Sequence, residues 1–153
     1  MIQRIQTIYL LATTVLIALI FVFPIAEYMD ANNQIFQLNF LKLQSVNQKT
    51  VIEHFAFPIT FFTGAISILS IATIFLFKNR KLQVKITNLI LVLVFVLFSI
   101  IAFYVYKFSV DLGSKAVLKI SLLFPIIAII TTYLARFNIK KDINLIRSSD
   151  RIR

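Results

Sequence analysis

The 153-residue sequence contains no cysteine, which removes disulfides, thiolate metal sites, iron–sulfur clusters and cysteine nucleophiles together. Tryptophan is also missing, glycine occurs twice and proline three times. So few chain breakers fit long helices better than a barrel of short alternating strands. Charged residues make up 14% of the chain, about half the share usual in a soluble domain. Only six of them are acidic, and none of the six lies inside the apolar runs described below. The chain by itself therefore lacks the membrane carboxylate that proton- or cation-coupled transport normally uses. His54 is the only histidine. It cannot complete the three or four ligands zinc needs, and it reads as an interfacial residue capping an apolar run. No serine occupies a Gly-x-Ser-x-Gly elbow. The sequence thus predicts no catalytic residue, no metal and no cofactor.

What the sequence does contain is apolar: 59% of it is hydrophobic, with 16 phenylalanines. About 20 helical residues cross a hydrocarbon core roughly 30 Å thick. Four stretches meet that requirement, at about 5–26, 55–77, 86–106 and 116–135. The first is too long for a signal-peptide h-region, and Phe23-Pro24-Ile25-Ala26 is a poor cleavage site, so it reads as a retained span. The fourth contains Lys119. That residue is a candidate intramembrane polar site; the plainer reading has its ammonium snorkelling from the first helical turn. The predicted fold is an all-α, up-down four-helix transmembrane bundle forming one domain. It carries an outer loop at 27–54, an inner loop at 78–85 and a helical tail at 136–153.

Charge sets the orientation. One side carries 11 Lys and Arg against two acids, the other five against four. Basic short loops stay in the cytoplasm, so both termini are expected there. The net charge of +10 flanks apolar spans and forms no nucleic-acid motif, so nucleic acid is not an expected partner. Lys78, Arg80, Lys81, Lys85, Arg136, Lys140, Lys141, Arg147 and Arg151 are candidate contacts for anionic lipid headgroups or a partner protein. Arg136, Lys140, Asn144, Arg147 and Arg151 recur every three or four residues, as one stripe of a basic amphipathic helix that would lie at the headgroups or pack on a partner.

In the outer loop, Phe36, Leu38 and Phe40 alternate with Gln37 and Asn39 at the period of a strand. Gln44–Gln48 would turn the chain and Thr50-Val51-Ile52 would return, making a small hairpin. A helical reading places Phe36, Phe40 and Leu43 on one face. Small and hydroxyl residues recur on each span: Thr7, Thr14 and Ala18; Thr60, Gly64 and Ser67; Ser99 and Ala102; Ser121, Pro125, Ala128, Thr132 and Ala135. Membrane helices pack closely through such faces, within a chain or against another subunit. Pro125 would kink the fourth span.

Three stretches considered together carry a resemblance. They are Met1-Ile2-Gln3-Arg4-Ile5-Gln6-Thr7-Ile8-Tyr9-Leu10, Phe77-Lys78-Asn79-Arg80-Lys81-Leu82-Gln83, and Ile139-Lys140-Lys141-Asp142 followed by Leu145-Ile146-Arg147-Ser148-Ser149-Asp150-Arg151-Ile152-Arg153. The set resembles the small bacterial membrane proteins grouped as domain of unknown function 4293, found mainly in Bacteroidota, and the resemblance runs the length of the chain. It implies the inner membrane of a diderm bacterium and carries no activity, cofactor or catalytic residue. The expected function is non-enzymatic: an accessory or assembly subunit of a larger membrane complex, built on a bundle without a polar core. The alternative is an oligomeric transporter or channel for a small solute, with Lys119, Ser121, Thr131 and Thr132 as its polar face.

Overall fold

In the computed structural model, the described residues are 5–29, 34–45, 56–76 and 79–151, with side chains through Leu145. The chain runs α1 (Ile5–Leu19), β1 (Ala26–Met29), β2 (Ile35–Leu38), β3 (Leu43–Ser45), α2 (Phe57–Phe75), α3 (Arg80–Asp111), β4 (Ala116–Leu118), a 3-10 turn (Ile120–Leu122) and α4 (Leu123–Arg151). Three of these helices are long and apolar enough to cross a membrane: α2, α3 and the stretch Ile120–Leu145. At 15 residues, α1 reaches about 22 Å. The apolar run at 5–26 is thus divided between elements. Past Leu19 the bonds tighten, Ile20, Phe21 and Val22 donating to the carbonyls three residues back. Pro24 then disfavours helix at Phe23, and the chain enters β1.

Local chemistry sets the other boundaries. Pro58 sits in the first turn of α2, where its missing N–H is no loss. The Asn79 side chain caps α3 by accepting from Leu82 N at 3.3 Å. Residues 80–85, expected as a loop, are therefore the first turns of α3. The far end of α3 closes with Gly113 at φ +58. Gly113 N donates to Val110 O and Ser114 N to Ser109 O, the paired bonds of a Schellman stop. Pro125 falls in the first turn of α4 and breaks no bond there, so the expected mid-span kink is not required. The tail is helical to Arg151 and continuous with the apolar part of α4, in keeping with the expected helical tail.

The helices pack through one repeating seam. Buried positions are Gln6, Leu10, Thr13, Ile17 and Ile20 at α1; Ile59, Thr63, Ile66, Ser70 and Thr73 on α2; Gln83, Thr87, Ile90, Val94, Leu97 and Ile101 on α3; Ser121, Pro125, Ala128, Thr132, Ala135 and Ile139 at α4. Every set alternates gaps of four and three, the 3.5-residue period of coiled-coil packing. Each of α1 and α3 packs against both α2 and α4. The small face expected on α4 is the buried one. The other three expected faces are displaced. Ala18, Ser99 and Ala102 point outward, Thr7, Thr14, Thr60 and Ser67 are half-buried, and a Cβ on Gly64 would meet nothing within 4 Å.

The strands form one antiparallel sheet in the order β3-β2-β1-β4. It is larger than the expected hairpin and turns at 39–42 instead of 44–48; Thr50–Ile52 lies outside the described residues. Ala26 pairs with Leu38 on one side and Leu118 on the other. One face, with Ala26, Tyr28, Phe36, Leu38 and Leu43, is buried in the same core as the helices. Tyr28 Oη donates to Val105 O at 3.2 Å, seating the sheet on the last turns of α3.

Candidate functional site

Two polar constellations stand out, at opposite ends of the helices. At the sheet end, Lys119 follows β4 in an extended conformation (φ −99, ψ 166) before the 3-10 turn. It does not lie in the first turn of a helix, as the sequence reading had it. Its N donates to Ile25 O, and its Nζ stands 2.6 Å from Glu27 Oε2, the one ion pair among the described residues. Gln37, the cross-strand neighbour of Glu27, donates from Nε2 to Glu27 Oε1 at 2.9 Å. Both carboxylate oxygens are thus engaged. The Lys119 hydrogen bond, opposed by partial burial and aided by Gln37, holds the Glu27 carboxyl below its ordinary value. A carboxylate so occupied serves as a clasp between strands and is a poor general base.

The second constellation lies inside the helices, away from the sheet. Thr13 Oγ1 is 2.8 Å from Thr131 Oγ1 and 3.2 Å from Thr132 Oγ1, fixing α1 against α4. Gln83 Nε2 donates to Thr73 O at 3.2 Å, fixing α3 against α2. Arg80 Nη1 donates to Asp142 O at 3.3 Å, fixing α3 against α4. Counting from these anchors at 1.5 Å per residue, Gln6, Thr73, Gln83 and Ile139 share one level. Leu10, Ser70, Thr87 and Ala135 form the next, about 5 Å nearer the sheet. Beyond Thr13 and Thr132 the seam is mostly apolar, with Ile17, Val94, Ile20, Ile59 and Leu97 around the self-bonded hydroxyl of Thr63. The interior is therefore polar in the half remote from the sheet, against the expectation of a bundle without a polar core.

Most of the hydroxyls there are satisfied by their own helix: Thr13, Thr73, Thr87 and Thr132 each donate to the carbonyl four residues back. Gln6 Oε1, Ser70 Oγ, Gln83 Oε1, Asn88 Oδ1 and Arg136 Nε are buried without a partner. Sequence reasoning missed Gln6, Ser70 and Gln83. The available signal was the 4–3 spacing, in which Gln6 heads the series Leu10, Thr13, Ile17 and Gln83 heads Thr87, Ile90, Val94.

The basic candidates do not converge on one pocket. Lys81, Lys85, Lys140 and Lys141 are exposed, Arg80 bridges to α4, and Arg136 is half-buried. Lys78 lies outside the described residues, as does His54, and the side chains of Arg147 and Arg151 are likewise outside them. No group of three His, Cys, Asp or Glu that could hold a metal occurs among the described residues.

The described helices and sheet share one core, and the family comparison covers nearly all of the chain. The family described as Domain of unknown function (DUF4293) matches residues 2–152. The chain belongs to this family. No curated protein and no solved structure matches it. Membership spans α1 through α4, so both polar constellations lie within the family's extent.

Proposed function

We propose that this chain is a non-enzymatic, multi-pass protein of a bacterial inner membrane, an accessory or assembly subunit of a larger complex. In this reading α1 to α4 cross the bilayer in up-down order. The sheet is periplasmic, and both termini are cytoplasmic. The basic residues Arg80, Lys81, Lys85, Lys140 and Lys141 all belong to the end remote from the sheet, the end that positive charge retains inside.

The observation that carries the subunit reading is the reach of α4. Asp142 lies beside Arg80, the first residue of α3. The nine further residues to Arg151 add about 13 Å of helix past that point. Helices in water draw most of their stability from tertiary packing. A basic helical extension beyond its own bundle is suited to a partner's acidic surface or to anionic headgroups. Outward-facing Ser99 and Ala102 on α3 add a surface compatible with close approach by another membrane helix.

Affinity purification in mild detergent, with mass spectrometry, tests this. Defined partner polypeptides are expected, and fewer of them when the chain is truncated after Ile143. Recovery of a monodisperse monomer with no partner would overturn the reading. The polar interior half favours a second reading, an oligomeric transporter or channel for a small solute, with Thr131 and Thr132 of the expected polar face in that interior. Solute flux into liposomes holding the purified protein would support it, and absence of flux would remove it.

A further inference from the structure

We propose that Gln6, Ser70 and Gln83 form an axial site that holds water between the helices, in the half of the bundle remote from the sheet. The inference goes beyond the subunit reading and does not depend on it. Gln6 is 2% exposed, Gln83 1% and Ser70 0%, and each has an oxygen without a partner. The three side chains come from α1, α3 and α2, all at seam positions that face the common interior. Gln6 and Gln83 share one level, on helices that do not neighbour each other in the packing order, so they oppose one another across the axis. Ser70 is one level nearer the sheet.

The donor and acceptor inventory selects the ligand. Gln83 Nε2 is committed to Thr73 O, which fixes that amide's orientation and directs its oxygen elsewhere. Two amide oxygens accept and the serine hydroxyl both donates and accepts. One water molecule can donate to both amide oxygens and accept from Ser70. Buried water characteristically makes about three such bonds to groups otherwise unsatisfied. The two unpartnered amide oxygens offer an anion no proton. No carboxylate occupies these seam positions among the described side chains, so a cation held between them would lack the paired charge that buried ions require. Three of the four side chains in that layer, Ser70, Thr87 and Ala135, are small, beside Leu10, where the layer nearer the sheet carries Ile20, Ile59 and Leu97.

The test uses the full chain in lipid nanodiscs with 15N-labelled glutamine. Magnetisation transfer from water to the Gln83 side-chain amide is expected, with the sign of a molecule resident longer than a nanosecond. Gln6→Met, close in shape but without the acceptor, should reduce that transfer by more than half. Ala135→Leu, which fills the space, should do the same by a different route and guards against misfolding of the first variant. A folded wild type with no transfer, or transfer unchanged in both variants, would overturn the proposal. A Gln83 shift with ammonium chloride but not with sodium chloride would overturn it in favour of a cation site.

Discussion

Lys119 Nζ lies 2.6 Å from Glu27 Oε2 and so ties the strand that leaves α3 to the strand that leaves α1. The two residues are far apart in sequence but neighbours across the β1–β4 pairing. The contact fastens the two halves of the chain at the sheet end. Its partial exposure bounds its worth at about 0–1 kcal/mol. Its effect on protonation has a definite sign. Glu27 is held below its ordinary 4.5, first by the Lys119 hydrogen bond. The folded state therefore binds that proton more weakly than the unfolded state. The contribution is full above 4.5 and is lost as pH falls through the lower folded value. Thermal unfolding of Lys119→Met in detergent from pH 7 to 3 is expected to show a shallower acid loss than wild type.

Tyr28 gives the opposite limb. Burial pushes its phenol from 10.0 up to about 12. The folded state holds this proton more tightly, so stability is full below pH 10 and falls as pH rises from 10 to 12. Tyr28→Phe should remove that alkaline loss. At neutral pH it should cost about 1 kcal/mol through the bond to Val105 O. Equilibrium unfolding at pH 8 and pH 11 checks both parts.

Ala128 and Ala102 discriminate the two kinds of small-residue face. Ala128 is fully buried between helices, and Ala128→Leu should cost about 1–3 kcal/mol by overpacking. Ala102 faces outward, and Ala102→Leu should leave the isolated protein's melting temperature unchanged within error. Under the subunit reading it should nevertheless reduce partner recovery. Thermal melting and partner pull-down on the same two variants separate the roles.

Gly64 occupies the interior of α2 with open space around its Cβ position. Gly64→Ala should stabilise the protein by about 0.5–1 kcal/mol, because helical glycine is disfavoured relative to alanine and nothing obstructs the methyl group. An unchanged or lower melting temperature would show that another copy or subunit occupies that space.

The residues that were legible in the sequence, and those that were not, separate by locality. The apolar runs located the helices because helix propensity and burial in lipid act on contiguous residues. The α4 face was readable since Ser121, Ala128, Thr132 and Ala135 are small against bulky neighbours. On α1, α2 and α3 the seam mixes Gln, Leu, Thr and Ile, and side-chain size alone chose the wrong face. Threonine confuses that choice, because it returns its hydroxyl to its own helix, as Thr63 does to Ile59 O, and so is equally at ease inside or outside. Strand β4 was unreadable locally: Ala116-Val117-Leu118 looks like the start of an apolar helix, and only its pairing with Ala26–Tyr28 makes it a strand. Lys119 was misplaced with it, and its partner Glu27 was out of reach of any local pattern.

The proposed topology puts the sheet and the projecting end of α4 on opposite sides of a membrane, the sheet outside. The absence of native cysteine makes it directly testable. Met29→Cys places a thiol at an exposed sheet position and Asn144→Cys at an exposed position on α4. Right-side-out spheroplasts are treated with a membrane-impermeant maleimide, before and after permeabilisation. M29C is expected to label in intact spheroplasts and N144C only after permeabilisation. Labelling of N144C in intact spheroplasts, or protection of M29C until permeabilisation, would contradict it.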